Sequence, residues 1–160
     1  MFLFLDVSSP IPEFHLIDDK KIINSIKILE DNDQKLSDKI IPVYLEINNT
    51  YNLYKKITNL IITIGPGSYT ALRVGTSFIA GLSQSMNLPV SVISNENIYK
   101  YFINTDKNIG IYFESSNNQN FFSYKKGSDF FHDKVDNENY VIPKNISCVL
   151  YNRIYPKFIK

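Results

Sequence analysis

The feature that most limits how this chain can fold is the segment from Val74 to Asn95, which contains no charged side chain. Its first part has helical spacing, with larger apolar residues on one side and small residues on another. The two sides carry Leu72, Gly75, Ile79, Leu82 and Met86, and Ser77, Gly81 and Ser85, respectively. Surface helices usually carry charges, so we expect both sides to be covered.

In a chain of 160 residues a sheet can cover only one side of this helix. We therefore expect the other side to meet the first helix of the chain and a second protein. The alternative is that the first helix and the C-terminal lobe of the same chain bury both sides.

The flanking segments predict a strand, a sharp turn, a helix and a second strand. An apolar run from Leu60 to Ile64 ends at Gly65-Pro66-Gly67, a helix is predicted from Ser68 to Met86, and Pro89 to Ser94 is again apolar. This order predicts a parallel pair of strands joined by a right-handed crossover.

The segments before this unit predict three antiparallel strands and a first helix. The strands are Phe2 to Val7, Phe14 to Ile17 and Lys21 to Leu29. Ser37 is the expected N-cap of the helix, whose apolar face includes Ile40, Ile41, Tyr44 and Leu45, and Pro42 predicts a kink.

The chain beyond Asn104 predicts a different organisation, with strands at Asn108 to Phe113, Asn120 to Lys125 and Ser147 to Tyr151 and no amphipathic helix. We therefore predict two domains: residues 1–104 as an N-terminal lobe, and residues 105–160 as a reduced second lobe.

Composition excludes several classes of function. The chain is 44% hydrophobic and 14% aromatic, which is typical of a folded globular protein. Its formal charge of +1 provides no field for gripping nucleic acid or an anionic membrane. The N-terminal apolar run is interrupted by Asp6 and lacks a basic leader, and no run is long enough to cross a bilayer, which predicts a cytoplasmic protein.

Cysteine and histidine are too sparse for a disulfide framework or a metal cluster. Cys148 is the single cysteine and lies in an apolar stretch, which favours a buried, inert thiol. His15 and His132 are far apart in the sequence. We expect no metal and no cofactor.

The loop from Gly65 to Thr70 fits neither common nucleotide-binding motif. A Walker loop needs a Lys that is absent here, and a dinucleotide fingerprint needs a third Gly where Thr70 stands. A type II turn at Pro66 and Gly67, followed by Ser68 as a helix cap, remains. The helix N-terminus could attract an anion, or Arg73 could pair with Asp6.

The segment from Ile64 to Gly75, Ile64-Gly65-Pro66-Gly67-Ser68-Tyr69-Thr70-Ala71-Leu72-Arg73-Val74-Gly75, resembles the signature of the TsaB (YeaZ) family. Further matches of order and spacing extend the resemblance over roughly the first hundred residues. They are Leu5-Asp6-Val7-Ser8, Ser37 to Pro42, Leu88-Pro89-Val90 and Val92-Ile93-Ser94.

The resemblance implies an α/β, actin-like (ASKHA) and ribonuclease-H-like fold. It also implies a non-catalytic subunit that docks two N-terminal helices onto a TsaD-type transferase, which forms threonylcarbamoyladenosine in tRNA, with a TsaE-type small ATPase joining the assembly. Such a subunit would meet tRNA only indirectly. We expect the docking interface to comprise Ile40, Tyr44, Ile47, Ala71, Gly75, Phe78 and Leu82.

The same resemblance marks vestigial anion or nucleotide-loop positions, which are Asp6, Ser8, Gly65, Gly67, Ser68, Thr70 and Arg73. Two departures from the family accompany it. Leu36 stands where the family usually has His, and Glu114-Ser115-Ser116 stands in place of an Asp-Ala-Arg stretch.

Other functions make different demands on the sequence. A sugar-kinase-like phosphotransferase would use Asp6 beside a glycine-rich phosphate loop, but Ser8 to Pro12 contains no glycine and two prolines. A metallopeptidase needs two His at helical spacing, which are absent. A structural homodimer formed by the same helix pair remains open.

Overall fold

The structure, a computed structural model, describes residues 1–9, 11–30, 33–65, 68–94, 97, 100–101, 108–114, 120–135 and 140–151. It forms two compact units, Met1–Ser94 and Asn95–Lys160. The domain boundary predicted after residue 104 falls within residues 102–107, which lie outside the described residues.

Unit 1 contains a five-stranded mixed sheet in the order β3-β2-β1-β4-β5. The strands are β1 (Phe2–Asp6), β2 (Glu13–Asp18), β3 (Lys21–Lys27), β4 (Asn59–Thr63) and β5 (Val90–Ile93). The first three pair antiparallel, as the sequence predicts. Strand β4 is parallel to both β1 and β5, which confirms the predicted parallel crossover.

Three helices connect these strands: α1 (Leu36–Tyr51), α2 (Leu53–Lys56) and α3 (Tyr69–Met86). The prediction of Ser37 as the N-cap of α1 is wrong, because Lys35 holds that position and has no side-chain cap. Ser37 lies in the first turn, where its hydroxyl donates a hydrogen bond to Asp38 at 2.9 Å. The helix continues through Pro42. The sequence analysis missed α2, which follows a left-handed Asn52 (φ 54°).

Both ends of α3 are closed by local hydrogen bonds. The Ser68 hydroxyl accepts a bond from the backbone N–H of Ala71, as predicted for a helix cap. At the other end Asn87 takes the left-handed conformation (φ 52°), and the Ser83 hydroxyl donates to the Leu88 carbonyl at 2.7 Å. The helix therefore needs no charged residue to define its limits.

Helices α1 and α3 share one core with the sheet. Alternate residues of β1 and β4 are buried there, together with residues of both helices, including Leu3, Leu5, Leu60, Ile62 and Ile79. An aromatic cluster joins the three layers: the ring of Phe78 lies 5.4 Å from that of Tyr44 and 5.8 Å from that of Phe14. Such edge contacts fix the two helices side by side.

Gly75 permits the close packing of α3 on the end of β1. A Cβ atom at this position would lie 2.7 Å and 2.9 Å from the two γ-carbons of Val7, which is fully buried. Because these distances are shorter than a carbon contact allows, only glycine fits without a shift of the helix or of Val7.

Unit 2 contains a four-stranded sheet in the order β8-β7-β6-β9. The strands are β6 (Ile109–Glu114), β7 (Asn120–Lys126), β8 (Asp129–Val135) and β9 (Cys148–Tyr151). The sequence analysis missed β8, which pairs with β7 around a turn containing Gly127 (φ 65°). Phe122, Tyr124 and Val135 form its core. The side chain of Cys148 and residues Ser115 and Ser116 lie outside the described parts.

No helix in the described part of the chain is long and apolar enough to span a membrane.

Two glycines of α3 should respond in opposite directions to alanine. Gly75→Ala should lower the free energy of unfolding by about 1–3 kcal/mol, because its methyl group meets Val7. Gly81→Ala should raise it by about 0.5–1 kcal/mol, because no atom lies within 4 Å of its Cβ position and alanine favours the helix. Urea unfolding of the two variants measures both changes, and equal effects would contradict this packing.

Candidate functional site

The carboxylate of Asp6, at the end of β1, is enclosed by donors of its own chain. It accepts hydrogen bonds from the hydroxyls of Ser8 (2.8 Å), Thr63 (3.0 Å) and Ser9, and from the backbone N–H groups of Ser8 (2.9 Å) and Ser9 (3.3 Å). The hydroxyl of Thr63 in turn accepts a bond from the N–H of Val7 at 3.0 Å. Asp6 is 3% exposed. Its hydrogen bonds to Ser8, Ser9 and Thr63 tie the loop after β1 to β4.

The predicted nucleotide-loop positions therefore fall into different surroundings. Ser8 is buried against Asp6, and Gly65 is buried with φ 98°, a conformation that favours glycine. Gly67 lies outside the described residues, so the predicted type II turn is not described. Among the described residues, Asp6 forms no ion pair with Arg73, whose guanidinium lies 5.4 Å from the ring centre of Tyr69.

An open groove of about 530 Å³ runs between α1 and α3. It combines apolar side chains with three polar ones and a single cation. The lining residues are Ser37, Ile40, Ile41, Thr70, Arg73, Val74, Ser77 and Phe78. A groove of this size and composition can accommodate side chains of another molecule.

The predicted docking residues need a correction, because most of them belong to the core of unit 1. Ile40, Tyr44 and Ile47 are 2%, 7% and 3% exposed, and Gly75 is also buried. A side chain with so little free surface contributes almost nothing to an interface. The prediction selected residues on the inner faces of the helices, because apolar residues on α1 indicate the core of unit 1 before they indicate an interface. Ala71, Phe78 and Leu82 are partly buried against the same core.

The outward face of each helix is formed by other residues, several of which directly follow these buried positions in the sequence. On α1 it exposes Ile41 (54%) and Leu45 (51%). On α3 the exposed residues are the aromatic Tyr69, the charged Arg73 and a set of small or polar residues: Thr70, Thr76, Ser77, Ala80, Gly81, Gln84 and Ser85. The described residues of unit 1 therefore leave one side of α3 uncovered. We refer to this outward face of α1 and α3 as the α1–α3 surface.

His15 is a second buried titratable group of the sheet, in addition to Asp6. It is 2% exposed, stacks on Phe4 at 5.3 Å, and its Nδ1 lies 2.8 Å from the Ser25 hydroxyl. Burial lowers the pKa of His15 below its usual value, while the negative charges of Glu13 and Asp6 oppose this change. Within the described residues, no cluster of three His, Cys, Asp or Glu side chains could hold a metal ion.

Residues 28–130 match the profile of the family described as TsaD: tRNA N6-adenosine threonylcarbamoyltransferase. The match covers more than half of the chain. The chain belongs to this family. Two solved structures from Pseudomonas aeruginosa have a similar fold. Each match covers 94% of this chain and 74% of the chain in the solved structure.

The first of these structures is YeaZ, with 12% sequence identity and a TM-score of 0.65. The second is an uncharacterized protein with similarity to peptidase YEAZ, with 13% identity and a TM-score of 0.66. The chain is thus a TsaB (YeaZ)-like protein with the actin-like fold that the sequence motif predicts. No curated protein matches the chain in a sequence search.

Removal of the buried carboxylate should destabilise this TsaB-like protein. In Asp6→Ala the hydroxyl of Thr63 and the backbone N–H of Ser8 lose their acceptor, so we expect the free energy of unfolding to fall by about 2–3 kcal/mol. Asp33→Ala, an exposed control, should change it by less than about 0.5 kcal/mol. A urea midpoint for Asp6→Ala equal to that of the wild type would contradict the structural role.

His15 should make stability depend on pH. Burial holds the pKa of His15 in the folded state below its usual value of about 6.5, so on acidification the unfolded chain takes up the proton first. The free energy of unfolding should therefore fall as the pH drops below about 6.5. Urea unfolding at several pH values should show a smaller fall for His15→Gln than for the wild-type chain. An unchanged slope in His15→Gln would contradict this assignment.

Proposed function

We propose that this chain is a non-catalytic, cytoplasmic subunit that docks onto and activates a TsaD-type transferase, which forms threonylcarbamoyladenosine next to the anticodon of tRNAs. A TsaE-type small ATPase joins the assembly, and the chain meets tRNA only indirectly. The observation that carries the proposal is the α1–α3 surface, where two helices of the TsaB-like fold lie side by side without a cover from the described residues of unit 1.

The chemistry of this surface suits helix docking. Most residues of α3 that face outward are small, and no atom lies within 4 Å of the Cβ position of Gly81, so a partner helix can approach its backbone closely. Ile41 and Leu45 supply exposed apolar area on α1. Two helices from each protein would then complete an intermolecular four-helix bundle.

The surroundings of Asp6 argue against a kinase-like activity. In a phosphotransferase of this fold class that carboxylate would have to accept a metal-bound water or a phosphate-linked metal. Here the hydroxyls of Ser8, Ser9 and Thr63 occupy its oxygens. The following loop also lacks the glycines that let a backbone approach phosphate.

Single arginines on the α1–α3 surface should prevent docking without unfolding the chain. Ile41→Arg and Gly81→Arg place a long charged side chain on an exposed position, and each should weaken binding to the transferase of the same organism at least tenfold. Thr50→Arg is the matched control, since Thr50 is exposed and lies on the opposite side of α1 from Ile41. Gly75→Arg is unsuitable, because it would disrupt the core beside Val7.

Calorimetry with the purified transferase measures these affinities, and urea unfolding checks each variant. Failure of the wild-type chain to bind would sink the docking proposal, as would equal binding by Ile41→Arg and Thr50→Arg. Self-association through the same surface would support a homodimer instead, and nucleotide hydrolysis by the isolated chain would support the kinase alternative.

A further inference from the structure

One end of the groove between α1 and α3 is biased towards positive charge. Ser37 and Thr70 lie in the first turns of α1 and α3, and both line the groove, so the two helices begin at the same end of it. The N-terminus of each helix carries roughly half a positive charge. Arg73, one turn into α3, adds a full charge at this end.

The Arg73 guanidinium is held in place but not neutralised by a neighbour in the groove. It lies over the ring of Tyr69, which is 74% exposed. Among the described residues the ion pairs involve Asp18 and Glu13, and neither includes Arg73. Asp38 in the first turn of α1 accepts a bond from Ser37 and does not line the groove. The guanidinium therefore has donors available for a carboxylate.

The rest of the groove is apolar. Ile40 and Phe78 form the inner wall, with Ile41 and Val74 beside them. A large aliphatic or aromatic side chain would exclude water from these residues, whereas a second charge would lose hydration without finding a partner. The charged end of the groove thus favours a carboxylate, and the apolar part favours a large apolar side chain.

We propose that the docking partner presents a helix with a carboxylate that meets Arg73 and, three or four residues away, a large apolar side chain that enters the groove. Residues at this spacing lie on one face of a helix and are neighbours along it. The inference rests on the proposed docking function and adds the chemistry by which the partner is selected.

The charge contact can be tested by measuring the affinity of the purified transferase for wild-type chain and for charge variants. At about 50 mM NaCl, Arg73→Gln should weaken binding roughly two- to tenfold and Arg73→Glu more, and the differences should shrink at about 500 mM NaCl. Arg73→Lys should bind between wild type and Arg73→Gln. Lys39→Gln is the matched control, because it removes the same charge from an exposed site of α1 outside the groove.

The apolar contact needs a separate variant. Ser77→Phe fills the groove and should weaken binding at least tenfold, whereas Thr50→Phe adds the same ring at an exposed position of α1 outside the α1–α3 surface and should bind as the wild type does. Both variants should unfold at urea concentrations near that of the wild type.

The outcomes separate the two proposals. If wild-type chain binds but the Arg73 variants match the Lys39 control, the acidic contact is overturned while docking stands. If Ser77→Phe binds as tightly as Thr50→Phe, the apolar contact is overturned. If the wild-type chain does not bind the transferase, the docking function itself fails, and this inference fails with it.

Discussion

The contact between Phe14, Tyr44 and Phe78 determines what the rest of unit 1 can do. These rings join the sheet to α1 and α3 and set the two helices side by side. Many of the large apolar residues of the two helices face this inner contact, and burial of such rings contributes strongly to folding. Their outward faces are consequently free of any structural task inside unit 1, and a binding role there does not compete with the fold.

The surroundings of Asp6 decide what its carboxylate can do. A carboxylate at the end of β1 could hold a metal-linked water if its oxygens faced an open cleft. In this chain Thr63 and two serines turn it into the acceptor of a closed hydrogen-bond network that fixes the loop. A buried charge in such a network is stabilising only while its donors remain, so the loop has little freedom to rearrange around a nucleotide.

The sequence predicted the sheet of unit 1 well because its signals are local. Apolar runs bounded by turns located β1 to β5, and the order of strand, helix and strand implied the parallel crossover. The faces of the helices were harder to assign. Tyr44 and Ile41 are both apolar at helical spacing, and only the position of the sheet decides that one is 7% and the other 54% exposed. Strand β8 was not predicted because its adjacent aromatics Phe130 and Phe131 stand among polar and charged residues, with neither a long apolar run nor a strict alternation.

The uncharged part of α3, from Val74 to Met86, does not by itself require a covering subunit. Its exposed residues, such as Thr76, Gln84 and Ser85, are polar enough to meet water, so solubility alone does not demand a covering subunit. Gly81 has no packing role within the described part of the chain, since no atom lies within 4 Å of its Cβ position. In the middle of a helix, glycine lowers stability by about 1 kcal/mol relative to alanine. The small side chains of α3 beside Ile41 and Leu45 allow close contact with another helix. The shape of this surface therefore supports docking more than its hydrophobicity does.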